Sequence, residues 1–145
     1  MYKCKHFRLE ELVSKIVFEK YGERAWSFFD PNLLKTLDDI REHFKKPIDI
    51  NNWKWGGNFH QRGLRANCDD IVKKKTLNNQ LYISEHILGR AFDFDVRGYE
   101  AEEVRREILK NNDKFPYIRR IEDNVSWVHI DGKPTGKYDI YLFKA

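Results

Sequence analysis

Apolar residues first recur at helical spacing. Leu9, Leu12, Val13, Ile16 and Val17 form a stripe in LEELVSKIVFEKY, which predicts a helix from Leu9 to Tyr21. A second stripe of Leu33, Leu34, Leu37, Ile40 and Phe44 runs through DPNLLKTLDDIREHF. There Asp30 is placed to cap the free amides, Pro31 suits the first helical position, and Pro47 ends the run. PIDINNW then reads as a short strand. From Lys54 to Gln80 the periodicity lapses, and Gly56, Gly57, Gly63 and several asparagines predict a long ordered loop with room for one short helix. On a small domain such a loop is often functional.

Alternation by two takes over in AFDFDV. Ala91, Asp93 and Asp95 fall on one face, and Phe92, Phe94 and Val96 on the other. SWVHID repeats the device, with Trp127, His129 and Asp131 opposite Val128 and Ile130. In both segments the apolar face anchors a strand to a core while the other side is free to present polar groups to a cleft. AEEVRREILKN, from Ala101, returns to helix, and YIRRIE from Tyr117 and YDIYLF from Tyr138 are further strand candidates. With no internal repeat, the expectation is one α+β domain over residues 1–145, its N-terminal helices packed on a mainly antiparallel sheet.

Composition narrows the function classes. Hydrophobic residues make up 41% of the chain and aromatics 14%, enough for a packed interior and against disorder. The net charge of +4 is spread over interspersed signs, so it is weak evidence for an anionic partner. The densest basic run, Lys73 to Lys75, reads as a solvated surface. No nucleic-acid partner is expected, because aromatic and basic residues do not interleave along one face. Cys4 and Cys68 are too few for a four-thiolate zinc site or a disulfide framework, which points to a reducing compartment. No stretch is apolar enough for membrane insertion, and MYKCKHFRLEEL lacks the core of a secretory signal. Synthesis in the cytoplasm without a signal peptide is therefore expected.

The chemistry gathers around SEHILGRAFDFDV. If the two alternating strands are neighbours, Asp93 and His129 face one space, and a turn at Gly89 brings His86 over it. Two imidazoles and a carboxylate suit zinc, leaving a fourth position for water. Read singly, each histidine is also a structural or surface side chain, and Asp93 a turn or pairing acid.

SEHILGRAFDFDV followed by WVHID resembles the two-part signature of the zinc D-alanyl-D-alanine carboxypeptidases and their phage endolysin relatives: Ser-x-His, a glycine, Ala-x-Asp and a later Trp-x-His. The likeness extends more loosely over nearly the whole chain. It implies a hedgehog-like zinc peptidase fold and zinc ligands at His86, Asp93 and His129. It also implies hydrolysis of peptidoglycan peptides, by carboxypeptidase or endopeptidase action, with phage delivery to the cell wall. In several relatives the general base lies three residues before the last histidine, where this chain has Ser126. Others carry it at the end of the preceding strand, which makes Glu122 the first candidate here and Asp123 the second. The arginine that relatives carry in a GYR-like segment is missing from NNWKWGG, leaving Arg62 or Arg65 as replacements and Lys54 as a further candidate. Ser84 is a candidate for bonding a ligand or fixing the bend, and Asp131 or Asp95 for orienting an imidazole. Trp53, Trp55 and Trp127 line a groove or belong to the core. His6, His43 and His60 carry no pattern. The alternative function is a catalytically inactive metal-binding module that binds wall peptide or a virion or other protein partner.

Overall fold

The computed structural model describes residues 1–145. Its helices are α1 (Lys15–Tyr21), α2 (Pro31–Phe44), α3 (Asp70–Leu77) and α4 (Ala101–Lys110), and its strands are β1 (Ile48–Asp49), β2 (Ala91–Val96), β3 (Arg120–Glu122), β4 (Val128–Asp131) and β5 (Tyr141–Phe143). One sheet runs in the order β1-β2-β4-β3-β5. Three pairings are antiparallel and β3 with β5 is parallel, so the α+β expectation holds with a mixed sheet.

The first predicted helix is divided. Leu9–Glu11 forms a 3-10 turn, after which Ser14 adopts extended backbone and its hydroxyl accepts a hydrogen bond from Val17 N at the start of α1. A hydroxyl that caps is a local competitor of helix continuation, and the break turns Ile16 out to solvent. In α2 the expected cap is present: the Asp30 carboxylate accepts from Asn32 N at 2.8 Å, with Pro31 in the first turn. The helix ends at Phe44, ahead of Pro47, because Lys45 takes a left-handed conformation. PIDINNW contributes only two strand residues. Beyond them Trp53 leaves the sheet and its indole N–H donates to Val13 O at 2.8 Å. The long loop contains α3, which carries Lys73, Lys74 and Lys75, and a 3-10 turn at Trp53–Trp55.

Phe92, Phe94, Ile121, Val128 and Ile130 are buried in one apolar cluster with Leu33, Leu34, Leu37 and Ile40 of α2 and Val104 and Ile108 of α4. Truncating either core phenylalanine to alanine costs about 3–5 kcal/mol in such a setting. Arg105 on α4 is buried and donates to Trp127 O at 2.9 Å and Val125 O at 3.1 Å. It thereby ties the helix to the segment entering β4. The core thus holds one face of β2 and β4, and their opposite face is left for polar groups.

Candidate metal centre

The antiparallel register of β2 and β4 sets Asp93 directly across from His129. Their side chains share the polar face, and His129 Nδ1 lies 2.7 Å from Asp93 Oδ1. His86 arrives from a turn outside the sheet. Ser84 fixes its start, with Ile87 N donating to both Ser84 O and Ser84 Oγ. Gly89 closes it at φ +67°, where an added Cβ would lie 1.9 Å from Phe28 O. Only glycine supplies that conformation and that close approach.

The ligating atoms of His86, Asp93 and His129 lie within 4.8 Å of one another, and all three residues are buried. The outer ring nitrogens both have hydrogen-bond acceptors, and the carbonyl on His86 fixes its tautomer. His86 Nδ1–H donates to Gly63 O at 2.8 Å, which leaves Nε2 facing Asp93 Oδ2 at 3.3 Å. His129 Nε2–H donates to Asp131 Oδ2 at 2.9 Å, so its Nδ1 faces inward. Such carbonyl and carboxylate partners typically orient ligating imidazoles. A buried set of two imidazoles and one carboxylate, aimed at one point, can hold a metal ion.

The segment 61–65 braces this arrangement. Arg62 O accepts from Asp93 N at 2.7 Å, Leu64 N donates to Leu12 O at 2.9 Å, and Arg65 N donates to His86 O at 3.2 Å. Gly63 is required at the tightest point, because a Cβ there would lie 2.0 Å from Leu12 O. Sequence reasoning missed Gly63 as the support of His86, and an isolated glycine in an aperiodic loop is too common a signal to have found it.

Charges on the polar face are paired almost throughout. Arg120 forks onto Asp131 with contacts of 2.6, 3.0 and 3.1 Å, and its guanidinium lies over the Phe143 ring. Arg120 also went unnoticed in the sequence, although β3 and β4 place it directly opposite Asp131. Arg65 donates to Asp93 Oδ2 at 3.1 Å, to Tyr82 Oη at 2.6 Å and to Gln61 O at 2.7 Å. Nothing in the sequence marked Tyr82. Arg62 is paired with Asp95 at 2.8 Å, so Asp95 serves that guanidinium, and of the two candidate orienting acids it is Asp131 that touches an imidazole.

Burial opposes charge on His129, yet the Asp131 and Asp93 carboxylates overcome it and raise its pKa to about 9. Burial would likewise raise the Asp93 carboxyl, but hydrogen bonds from His129 and His86 hold it well below the usual carboxylate range. Without metal, therefore, the two carboxylates favour a proton on both ring nitrogens of His129, in addition to the guanidinium partners each acid already has. A metal ion entering between the ligands must displace the proton on Nδ1.

The three ligands line one lobe of a surface groove, and of them only Asp93 also lines the second lobe. The first lobe, of about 390 Å³, is lined by Glu85, Arg120, Glu122, Lys133 and Phe143 among others, and the second, of about 360 Å³, by Asn58, Phe59, His60, Arg62 and Ser126. Arg65, Asp93 and Trp127 line both. Glu122 shares the polar face of β3 with Arg120, opposite the buried Ile121. Four acidic side chains line the first lobe: Glu85 is paired with Arg90 at 2.8 Å, Asp131 with Arg120, and Asp93 with Arg65 and the two histidines. Glu122 alone has no cation within ion-pair distance. Asp123 lies past the end of β3, where its N–H donates to Phe143 O and its carboxylate accepts from Asn124 N. It is not among the groove residues.

The remaining candidates lie elsewhere. Trp53 and Lys54 flank a separate depression beside Phe18, and Trp55 is exposed in another near Arg97. His6 pairs with Glu42 and His43 with Glu107, while His60 lines the second lobe. No helix is long and apolar enough to cross a membrane. No protein-family model, no curated protein and no solved structure matches the chain.

Proposed function

We propose that the protein is a zinc-dependent peptidase that hydrolyses peptide bonds of peptidoglycan, with the hedgehog-like fold of the carboxypeptidase and endolysin family it resembles. The observation that carries this reading is the convergence of His86 Nε2, Asp93 and His129 Nδ1 at the floor of a groove, beside an unpaired carboxylate. Two imidazoles and one carboxylate match the ligand sets of catalytic zinc sites that keep an open position. When bound, zinc lowers the pKa of a water molecule and polarises a carbonyl oxygen.

The chain's own residues supply the rest. Glu122 takes a proton from the attacking water and delivers it to the departing amine. Arg65 uses three of its five N–H donors on Gln61, Tyr82 and Asp93, leaving two for the oxygen that gains charge on the scissile carbonyl. Arg62, turned toward Asp95 in the second lobe, contacts substrate farther from the reacting bond. Trp127 forms a wall common to both lobes. A wall substrate lies beyond the cytoplasmic membrane, and delivery by a phage is part of the proposal.

Glu122→Gln keeps the size of the side chain and removes the acid. In zinc-loaded protein it is expected to lower turnover of wall peptides by about two orders of magnitude or more with zinc content unchanged. Asp123→Asn is expected to leave turnover near wild type. Normal turnover in Glu122→Gln refutes the assignment of the base. A zinc-loaded wild type inert toward a broad panel of wall peptides refutes the peptidase and favours a metal-holding module that binds peptide without cleaving it.

A further inference from the structure

We infer that the cavity beside Trp55 is a saccharide-binding site, which takes a neutral chain of hexopyranose units. It is separate from the metal groove. The cavity, of about 620 Å³, shares no lining residue with either lobe, and its only apolar wall is Trp55. Its size falls in the range of roughly 300–1,000 Å³ that small-ligand sites occupy.

Trp55 is the platform. The residue is 56% exposed, and neither an aromatic ring nor a cation lies over its indole. The ring C–H groups of a pyranose fit against the electron-rich face of such an indole, while the sugar hydroxyls point outward to polar partners. The turn that carries it is held tightly. Trp55 N and Gly57 N both donate to Asn52 O at 3.0 Å, and a Cβ on Gly57 would lie 2.1 Å from the amide carbon of Asn52. Asn52 Oδ1 accepts from Phe59 N at 2.8 Å, which fixes the amide and leaves its Nδ2 to donate to a sugar oxygen.

The charged groups narrow the ligand further. Arg8 and Arg97 stand against Glu11 and Asp49, so the cavity has no excess charge to attract a phosphate or another anion. Asp49 accepts both guanidinium bonds of Arg97 at 3.0 Å, and Glu11 Oε2 accepts from Arg8 N at 2.7 Å. Each carboxylate keeps acceptor capacity, and the Arg8 guanidinium forms no ion pair, so donors and acceptors share one wall. Hydroxyls, which donate and accept at once, suit that mixture. An apolar ligand would leave it unpaired.

The position gives the site a use. Asp49 lines the cavity and pairs across β1 and β2 with Asp95, which lines the second lobe of the groove. Arg62 spans the two, donating to Asp49 O at 3.3 Å and to Asp95 at 2.8 Å. A wall fragment carries sugar and peptide in one molecule, and here the sugar is held one strand away from the groove that receives the peptide. Naming the wall's amino-sugar strand as the source rests on the peptidase reading; saccharide binding itself does not.

The test titrates the wild-type chain in a calorimeter with β-1,4-linked tetramers of N-acetylglucosamine and of glucose. At least one is expected to bind with a Kd of about 1 mM or tighter. Trp55→Ala, at an exposed position outside the core, is expected to weaken that binding about tenfold or more, and Trp55→Phe about two- to fivefold. Trp127→Ala, in the metal groove, is expected to change it less than about twofold. A preference of about threefold or more for the N-acetylglucosamine tetramer supports the wall strand as the source. Equal affinities, or a preference for the glucose tetramer, support the saccharide site and overturn that source. No binding of either tetramer at about 10 mM, unchanged affinity in folded Trp55→Ala, or loss of binding in folded Trp127→Ala overturns the inference. Neither zinc nor cleavage enters any of these measurements, so their failure leaves the peptidase reading standing, and a chain inert toward wall peptides leaves the saccharide site standing.

Discussion

The two halves of the metal centre are held by different means. Asp93 and His129 come from strands whose Phe92, Phe94, Val128 and Ile130 are locked in the core, so alternation and register alone bring them face to face. His86 comes from an irregular turn, held by one carbonyl from Gly63 and by the close fit of Gly89 against Phe28. The strand half depends on the register and on the buried side chains that anchor it. The turn half depends instead on backbone groups closer together than side chains permit.

Glycine substitution should separate the halves most sharply. Gly89→Ala forces both a left-handed residue and a collision with Phe28 O, and is expected to cost about 3 kcal/mol or more in denaturant unfolding. Gly63→Ala, which collides with Leu12 O, is expected to do similar harm and to weaken metal binding in whatever protein folds. Wild-type stability and metal affinity in both variants would show that the turn is not so constrained.

A smaller effect is expected at Asp131, which touches the strand half without being a ligand. Asp131→Asn leaves the neutral His129 ring less firmly oriented, and metal affinity is expected to fall about 10- to 100-fold in a competition titration with a chelator. An unchanged affinity would mean that register alone orients the imidazole.

The most graded effect is that of pH. The folded pKa of His129, raised to about 9, exceeds its unfolded value. Its contribution to the metal-free protein is therefore fully present below about pH 6.5 and lost as pH rises through about 9. Asp93 has the opposite sign: its pKa is lowered, so its contribution is present above about pH 3.9 and lost in acid. Unfolding midpoints of the metal-free protein should fall from near-neutral pH toward pH 9, while metal affinity gains about tenfold per pH unit as the His129 proton becomes easier to displace. Metal affinity independent of pH over that interval would contradict the pairing of His129 with two carboxylates.

The same contrast governs what the sequence discloses. Period-two alternation in AFDFDV and SWVHID gave the facing of Asp93 and His129, since both strands have an unambiguous apolar side. The capped start of α2 was equally plain from Asp30 and Pro31. Ser14 hid in a stripe that looked continuous, because a hydroxyl fits a helix pattern yet prefers to cap. The roles of Gly63, Tyr82 and Arg120 depend on contacts between segments distant in the chain, and local periodicity carries no information about those. Arg120 was the most accessible of the three, because it required only the register of β3 on β4.

The central claim is that His86, Asp93 and His129 together hold one zinc ion. Elemental analysis of wild type and His129→Ala, each equilibrated with buffered zinc and freed of excess, tests it most directly. About one zinc per wild-type chain is expected, falling below roughly a tenth of that in the variant, with circular dichroism showing that the variant remains folded. Full zinc occupancy in folded His129→Ala, or a wild type that retains none, would contradict the claim.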